Sequence, residues 1–253
     1  MCLIAVRWQP DGPEPLLLLG NRDEFYDRPA APLAWWEDHA LLAGRDLRAG
    51  GTWLGVTRQG RCAALTNIRQ PGASRPDAPS RGALPVRALA SSDPASAFLE
   101  ALRPDAARHN PFNLLLYDGR ELLGYQSRDD RTLRLAPGLH LLSNGDFNAP
   151  WPKAEALRAA LAHAPEDDAA LLKLLEDDRG FEDARLPHTG VPLSWERALS
   201  PVFIRTPSYG TRASTLVRIG RAEVRMVEQG FGPEGPLART EAAFPRQDAG
   251  SLR

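Results

Sequence analysis

Lysine is almost absent from this chain: Lys153 and Lys173 stand against 29 arginines. Both fall in segments with helical apolar spacing, which argues against Schiff-base chemistry. Cysteine is as scarce. Cys2 and Cys62 give no disulfide framework and suit a reducing compartment. The histidines, His39, His109, His140, His163 and His188, are scattered, and none stands at a metal-ligand spacing. Neither a metal nor a resident cofactor is expected. A Gly-rich phosphate loop is missing, and no serine sits in a nucleophile elbow. No apolar run approaches the roughly 18 residues of a membrane span. No basic segment precedes the short first apolar run, as a signal peptide would require. The formal net charge of -1 supplies no field to draw in nucleic acid or an anionic membrane. Together these absences predict a cytoplasmic protein with no nucleic-acid partner and no integral membrane segment.

What is present is ordinary for a globular protein, with 43% hydrophobic and 25% charged residues over 253 positions. There is no internal repeat and no domain boundary, so one domain over residues 1–245 is expected, with 246–253 as a mobile tail. Short apolar runs between turn signals predict strands at 2–6, 16–19, 41–44, 52–57, 62–67, 112–117, 121–125, 132–135, 139–143, 213–219 and 222–229. Asp118 and Gly119 form a strong hairpin turn. Helices are expected at 83–90, 94–102, 151–163 and 165–176, the second opened by Pro94. Residues 25–36, 70–82, 181–200 and 230–253 read as irregular. Strands, helices, strands and helices in that order fit an α+β domain of two sheets with helices outside.

The chemistry concentrates at the N-terminus. A hairpin of 2–6 with 16–19 would bring Cys2 close to Asn21, Arg22, Asp23 and Glu24. Removal of Met1 is expected, because the second residue is small. The chain would then begin with a thiol and an α-amine on one residue, both with unperturbed pKa values of about 8 to 8.5. Nucleophile and base would share that residue. Arg22 could hold the thiolate by charge, and Asp23 could accept a hydrogen bond from the amine. On residue types alone a second reading stands beside this one: Cys2 is a buried strand residue and the charges cap a solvated hairpin. Asn67 and Asn144, each at a strand end, carry amide donors suited to an oxyanion. Asn144 followed by glycine is also an ordinary hairpin turn. Trp8, Trp35, Trp36 and Trp53 could line a pocket or pack a core. Gly50 and Gly51 read as a turn, or as a place where backbone is approached closely.

Asn21-Arg22-Asp23-Glu24 after an N-terminal Met-Cys strand resembles the hallmark of the NRDE family, also called the transport and Golgi organisation protein 2 family. Further motifs agree in order: Gly50-Gly51-Thr52-Trp53-Leu54-Gly55, Thr66-Asn67-Ile68-Arg69, Leu142-Ser143-Asn144-Gly145, and Tyr209-Gly210-Thr211-Arg212-Ala213-Ser214-Thr215. The family looks like a branch of the N-terminal nucleophile hydrolases, which implies a four-layer αββα sandwich of mainly antiparallel sheets. By that resemblance Cys2, Arg22, Asp23, Asn144 and Arg212 are the catalytic set. Asn21, Glu24, Trp53 and Asn67 would contact substrate. The implied activity is hydrolysis of a linear amide with a hydrophobic acyl group. The resemblance equally implies an alternative, a non-catalytic carrier of haem or of an acyl-CoA or lipid amphiphile, in which haem would be a ligand. Either way the partner is a small molecule.

Overall fold

The computed structural model describes residues 2–247. In chain order the strands are β1 (Cys2–Trp8), β2 (Leu16–Phe25), β3 (Ala30–Trp35), β4 (Leu41–Asp46), β5 (Leu54–Thr57), β6 (Cys62–Asn67), β7 (Phe112–Tyr117), β8 (Leu122–Gln126), β9 (Arg131–Arg134), β10 (Gly138–Leu142), β11 (Tyr209–Ile219), β12 (Glu223–Gly232) and β13 (Gly235–Pro245). The helices are α1 (Ala83–Ala90), α2 (Ala95–Ala106), α3 (Pro152–Leu161), α4 (Asp168–Leu174) and α5 (Leu193–Ala198). One sheet runs β10-β1-β2-β11-β12-β13 and the other β3-β4-β5-β6-β7-β8-β9. Among the described residues the paired strands of both sheets are antiparallel.

Strand alternation sorts the side chains into layers. Ile4, Val6, Leu16 and Leu18 meet Leu54, Val56, Ala64 and Leu115 between the two sheets. Leu3, Ala5, Leu17 and Leu19 turn the other way and pack under α3 and α4 through Leu157, Leu171 and Leu172. The second sheet is covered likewise by Leu84 and Leu89 of α1 and Leu99 and Leu102 of α2. The result is the expected four-layer αββα sandwich of mainly antiparallel sheets. A strand buried on both faces cannot alternate polar with apolar. That is why β2 opens with four successive leucines, all buried.

Four segments depart from the sequence reading. Residues 25–36, read as irregular, contain β3. Pro29 just before it and Pro32 within it hide the strand, but β3 is an edge strand, where proline is tolerated, and its register shifts between Ala31 and Ala34. Residues 230–253 contain β13, another edge strand, mostly exposed and so without an apolar alternation to read. Residues 181–200 contain α5, opened by Pro192. The strand near 139–143 leaves its sequence neighbours and pairs with β1 at the edge of the other sheet. Order also extends past residue 245: Arg246 donates to the Gln59 carbonyl at 3.0 Å, and the Gln247 N–H to the Arg58 carbonyl at 2.9 Å. The expected tail at 246–253 therefore starts too early. Its remainder, 248–253, and the expected loss of Met1 lie outside the described residues.

Candidate active site at the end of the first hairpin

The register of β1 on β2 pairs Cys2 with Arg22 and Leu3 with Asn21. On its other side β2 pairs Arg22 with Ala213 and Asp23 with Thr211 of β11. Position 2 and the charged tetrad are thus joined by main-chain geometry, twenty positions apart in sequence. A cavity of about 400 Å³ opens there, walled by Arg22, Asp23, Glu24, Trp53 and Asn67. Five of the expected site residues therefore share one space.

Arg22 is 5% exposed. Its Nη2 donates to Asp46 Oδ2 at 3.1 Å, and its guanidinium lies 4.5 Å from the Trp53 ring centroid. Its Nη1 is buried without a hydrogen-bond partner among the described residues. Asp46 also accepts from Arg28 Nε at 2.6 Å and from the Ala49 N–H at 2.9 Å. Burial pushes the Asp46 carboxyl up, but the Arg28 hydrogen bond, the Ala49 N–H and the charges of Arg28 and Arg22 outweigh it and hold the carboxyl below the usual range. Arg22 is therefore a fixed cation, clamped between a carboxylate and an aromatic face.

Asp23 is fully enclosed, and its Oδ1 accepts from Thr211 Oγ1 at 2.8 Å. Burial raises its carboxyl pKa against the opposing charge of Lys153. Lys153 is itself buried and donates to the Leu199 carbonyl at 3.1 Å. Asn144 is 1% exposed. Its Nδ2 donates to the Asn67 carbonyl at 2.8 Å, and its own carbonyl accepts from the Arg69 N–H at 2.7 Å. These two bonds fasten Asn144 across the end of β6, and the amide has a second N–H to offer. Arg69 is held in turn by Glu196 of α5 at 2.8 Å. Burial lowers the Arg69 pKa, and the Glu196 charge opposes that shift.

Three expected residues do not wall the larger cavity: Asn144, held behind the end of β6, Asn21 and Arg212. Asn21 lies on the helix-facing side of β2, donating to the Leu175 and Val202 carbonyls at 2.8 and 2.9 Å and accepting from Ser214 Oγ at 2.6 Å. These bonds fasten it to the chain at Leu175 and Val202 and to β11 at Ser214, and it does not line the cavity. Arg212 stands at a register shift between Thr211 and Ala213. Its Nη1 donates to the Phe25, Tyr26 and Arg28 carbonyls and its Nε to the Phe231 carbonyl, at 2.9 to 3.2 Å. It ties the β2–β3 connection to β12. It also lines a second cavity of about 170 Å³ with Ala30, Pro32, Phe231 and Leu237. Arg22 and Trp53 wall both cavities. Of the four tryptophans considered, only Trp53 borders these spaces. Trp8 packs on Tyr117, Trp35 on Phe244, and Trp36 donates to the Ala43 carbonyl.

Sequence reasoning missed Arg28, Asp46, Arg75 and Arg81 of the larger cavity and Glu228 of the smaller one. Glu228 was legible: Val224 and Met226 face the inter-sheet core, so the same alternation turns position 228 inward. Arg75 and Arg81 gave no signal, because they lie in an irregular segment whose path only tertiary contacts fix. Cys62 is buried in β6, and burial pushes its thiol up to about 12, so it stays protonated at neutral pH. Among the described residues no three His, Cys, Asp or Glu side chains gather as a metal site, and no helix is long and apolar enough to cross a membrane.

The family model for Transport and Golgi organisation 2 matches residues 1–232. The chain is 32% identical to the Transport and Golgi organization protein 2 homolog of Bos taurus over 250 residues, covering 87% of this chain and 88% of that protein. It is 28% identical to Transport and Golgi organization protein 2 of Drosophila melanogaster, covering 92% of each. Among solved structures, the C2A mutant of conjugated bile acid hydrolase from Clostridium perfringens superposes with a TM-score of 0.48 at 10% identity, covering 98% of this chain and 94% of that one. With its tetrad, its asparagines and its late arginine in one fold unit, this chain belongs to the Transport and Golgi organisation 2 family.

Proposed function

We propose that the protein is an N-terminal cysteine amidohydrolase acting on a linear amide with a hydrophobic acyl group. The observation that carries this is the β1–β2 register. It sets Cys2 opposite Arg22, and Arg22 with Trp53 forms the wall shared by a polar cavity and a smaller, mostly apolar one. An amide lying across that wall has its acyl chain beside Ala30, Pro32, Phe231 and Leu237 and its amine half beside Asn67 and Glu24.

Once Met1 is removed, the α-amine of Cys2 takes the thiol proton, directly or through a water. The sulfur adds to the carbonyl carbon, and a second N–H of Asn144 with a backbone N–H holds the oxyanion. The C–N bond breaks as the proton passes to the departing amine, leaving a thioester. Water then adds to the thioester and releases the acid and the thiol. Arg22 supplies a fixed positive charge next to position 2, and Asp23 a buried carboxyl behind it.

The test is turnover of N-acyl amino acids, acyl-homoserine lactones and β-lactams by protein whose intact mass shows loss of Met1. Cys2→Ala should abolish hydrolysis while ligand binding persists. Asn144→Ala should cost about 2.7–4 kcal/mol of transition-state stabilisation. No turnover on any amide, together with saturable haem or acyl-CoA binding that returns the ligand unchanged, would establish the carrier function instead.

A further inference from the structure

The smaller cavity, on the acyl side of the site, carries three charged side chains in its otherwise mainly apolar lining: Arg22, Arg212 and Glu228. Arg212 spends Nε and Nη1 on main-chain carbonyls, and Arg22 Nη2 is bound to Asp46. Glu228 is less fully engaged. It is 4% exposed, and an ionised carboxylate can accept about four hydrogen bonds. Oε1 accepts from the Leu33 N–H at 2.8 Å, whereas among the described residues Oε2 accepts only from Thr215 Oγ1, at 3.4 Å. A Cβ at Gly44 would overlap the Trp53 ring and stand 3.3 Å from that same Oε2, so the ring and the carboxylate are neighbours. The Arg22 guanidinium lies 4.5 Å from the Trp53 ring centroid, and its buried Nη1 has no hydrogen-bond partner among the described residues. Around Trp53 the cavity therefore holds an underused acceptor and an unused donor. Burying either without a partner is costly, and burial pushes the Glu228 carboxyl up to about 7. A perturbed buried carboxyl on a cavity wall is the kind of group that serves a site.

Resting on the amidohydrolase reading, we infer that this cavity selects an acyl group with a hydroxyl towards its far end, donated to Glu228. A hydroxyl is a neutral group that both donates and accepts, so it serves the carboxylate and the Arg22 N–H together. The sheet register sets its place on the chain. Cys2, Arg22, Ala213 and Gly230 form one row across β1, β2, β11 and β12, and Glu228 stands two residues along β12 from that row. Three strand spacings of about 4.8 Å put Glu228 roughly 14 Å across the sheet from position 2. A hydroxyl beside the reacting carbonyl falls short of it; one several methylenes away reaches it. The cavity, about 170 Å³, has room for such a chain, since an apolar cavity of about 150 Å³ takes a benzene-sized group. The substrate is then an amide of an ω-hydroxy acid rather than of a plain fatty acid. A pocket built to bond a hydroxyl rejects the analogue that leaves its polar groups unpaired, whereas a purely apolar pocket discriminates far less.

The inference is tested on the full-length Cys2→Ala protein, which binds without turnover, by calorimetry. The ligands are N-octanoylglycine with its 8-hydroxy and 3-hydroxy derivatives, and N-hexanoylglycine with its 6-hydroxy derivative. At least one terminal hydroxyl should tighten binding about tenfold or more over its parent, and the 3-hydroxyl should not. Glu228→Gln keeps the size and a neutral acceptor and should cut that preference severalfold; Glu228→Met should abolish it. Urea unfolding shows that each variant is folded. Equal affinities for hydroxylated and plain chains would mean that a trapped water satisfies the carboxylate, and overturn the inference. So would a preference for the 3-hydroxy chain alone, a preference that survives both substitutions, or no binding of any ligand. Hydrolysis of the same compounds by the wild type is measured separately. Turnover without a hydroxyl preference removes the selection and keeps the hydrolase. A hydroxyl preference without turnover does the reverse.

Discussion

Glu228 shows how one side chain couples the site to solution conditions. It sits in the inter-sheet layer, where Oε1 accepts from the Leu33 N–H at 2.8 Å and Oε2 from Thr215 Oγ1 at 3.4 Å. Burial pushes its carboxyl up to about 7, against the Leu33 and Thr215 hydrogen bonds and the Arg22 charge. The sign is the reverse of a salt-bridged carboxylate. The unfolded chain ionises this group near 4.5, whereas the folded chain resists ionisation until about 7. Its contribution to stability is therefore fully present below pH 4.5 and is lost as pH rises through 7. Glu228→Gln keeps an acceptor for Leu33 and removes the titration. Relative to wild type it should gain stability between these pH values, by up to about 3 kcal/mol. Denaturant unfolding of both proteins at pH 4.5, 6 and 8 measures this; a difference constant with pH would show that Glu228 is not the titrating group.

Among the elements, the segment leading into α1 is held at its end by backbone, beside the side-chain anchors of Arg75 and Arg81. The Thr52 N–H donates to the Gly82 carbonyl at 3.0 Å, and at Gly51 any Cβ would overlap the Gly82 backbone. Gly51 is thus a place of close approach, but what approaches is the protein's own chain and not a ligand. Gly51→Ala must push residues 80–83 outward. The expected cost is about 1–3 kcal/mol, as for other overpacked sites. Because Ser80, Arg81 and Gly82 wall the larger cavity, ligand affinity should fall with it. Thermal unfolding and a ligand titration on the same variant check both; unchanged affinity with reduced stability would separate the wall from the site. Edge strands β3 and β13 escaped sequence reading for a related reason. Their identity lies in pairing with β4 and β12, while β13 is mostly exposed and β3 is interrupted by Pro32.

For the whole molecule, stability rests on three apolar layers, the middle one shared by both sheets. Leu18 is fully buried in that middle layer, whereas Leu237, on the rim of the smaller cavity, is 60% exposed. Leu18→Ala should cost about 2–5 kcal/mol, transfer loss plus cavity. Leu237→Ala should change stability by no more than about 0.5 kcal/mol. Comparable losses at both positions in urea unfolding would refute this layering. A wrong layer order would also misplace the smaller cavity, which Arg22, Trp53 and Glu228 line together.

The sequence by itself determined the layers and the hairpin. Four leucines in β2 demand burial on both faces, turn residues at 9–13 return the chain, and that return brings position 2 to Arg22. The family motifs named Asp23, Trp53 and Asn67, which the fold gathers at one cavity with Arg22. Local pattern could not decide which face of β2 Asn21 uses for function, because both faces are buried. Nor could it show that Arg212 spends its donors on main-chain carbonyls. Only the tertiary structure decided the cavity's charge. The arginines of residues 74–82 belong to an irregular segment with no period, and their position comes from contacts to Pro111, Ala107 and Gly51, each distant in sequence. Periodicity reports burial along one element, while a binding site is made where several elements end.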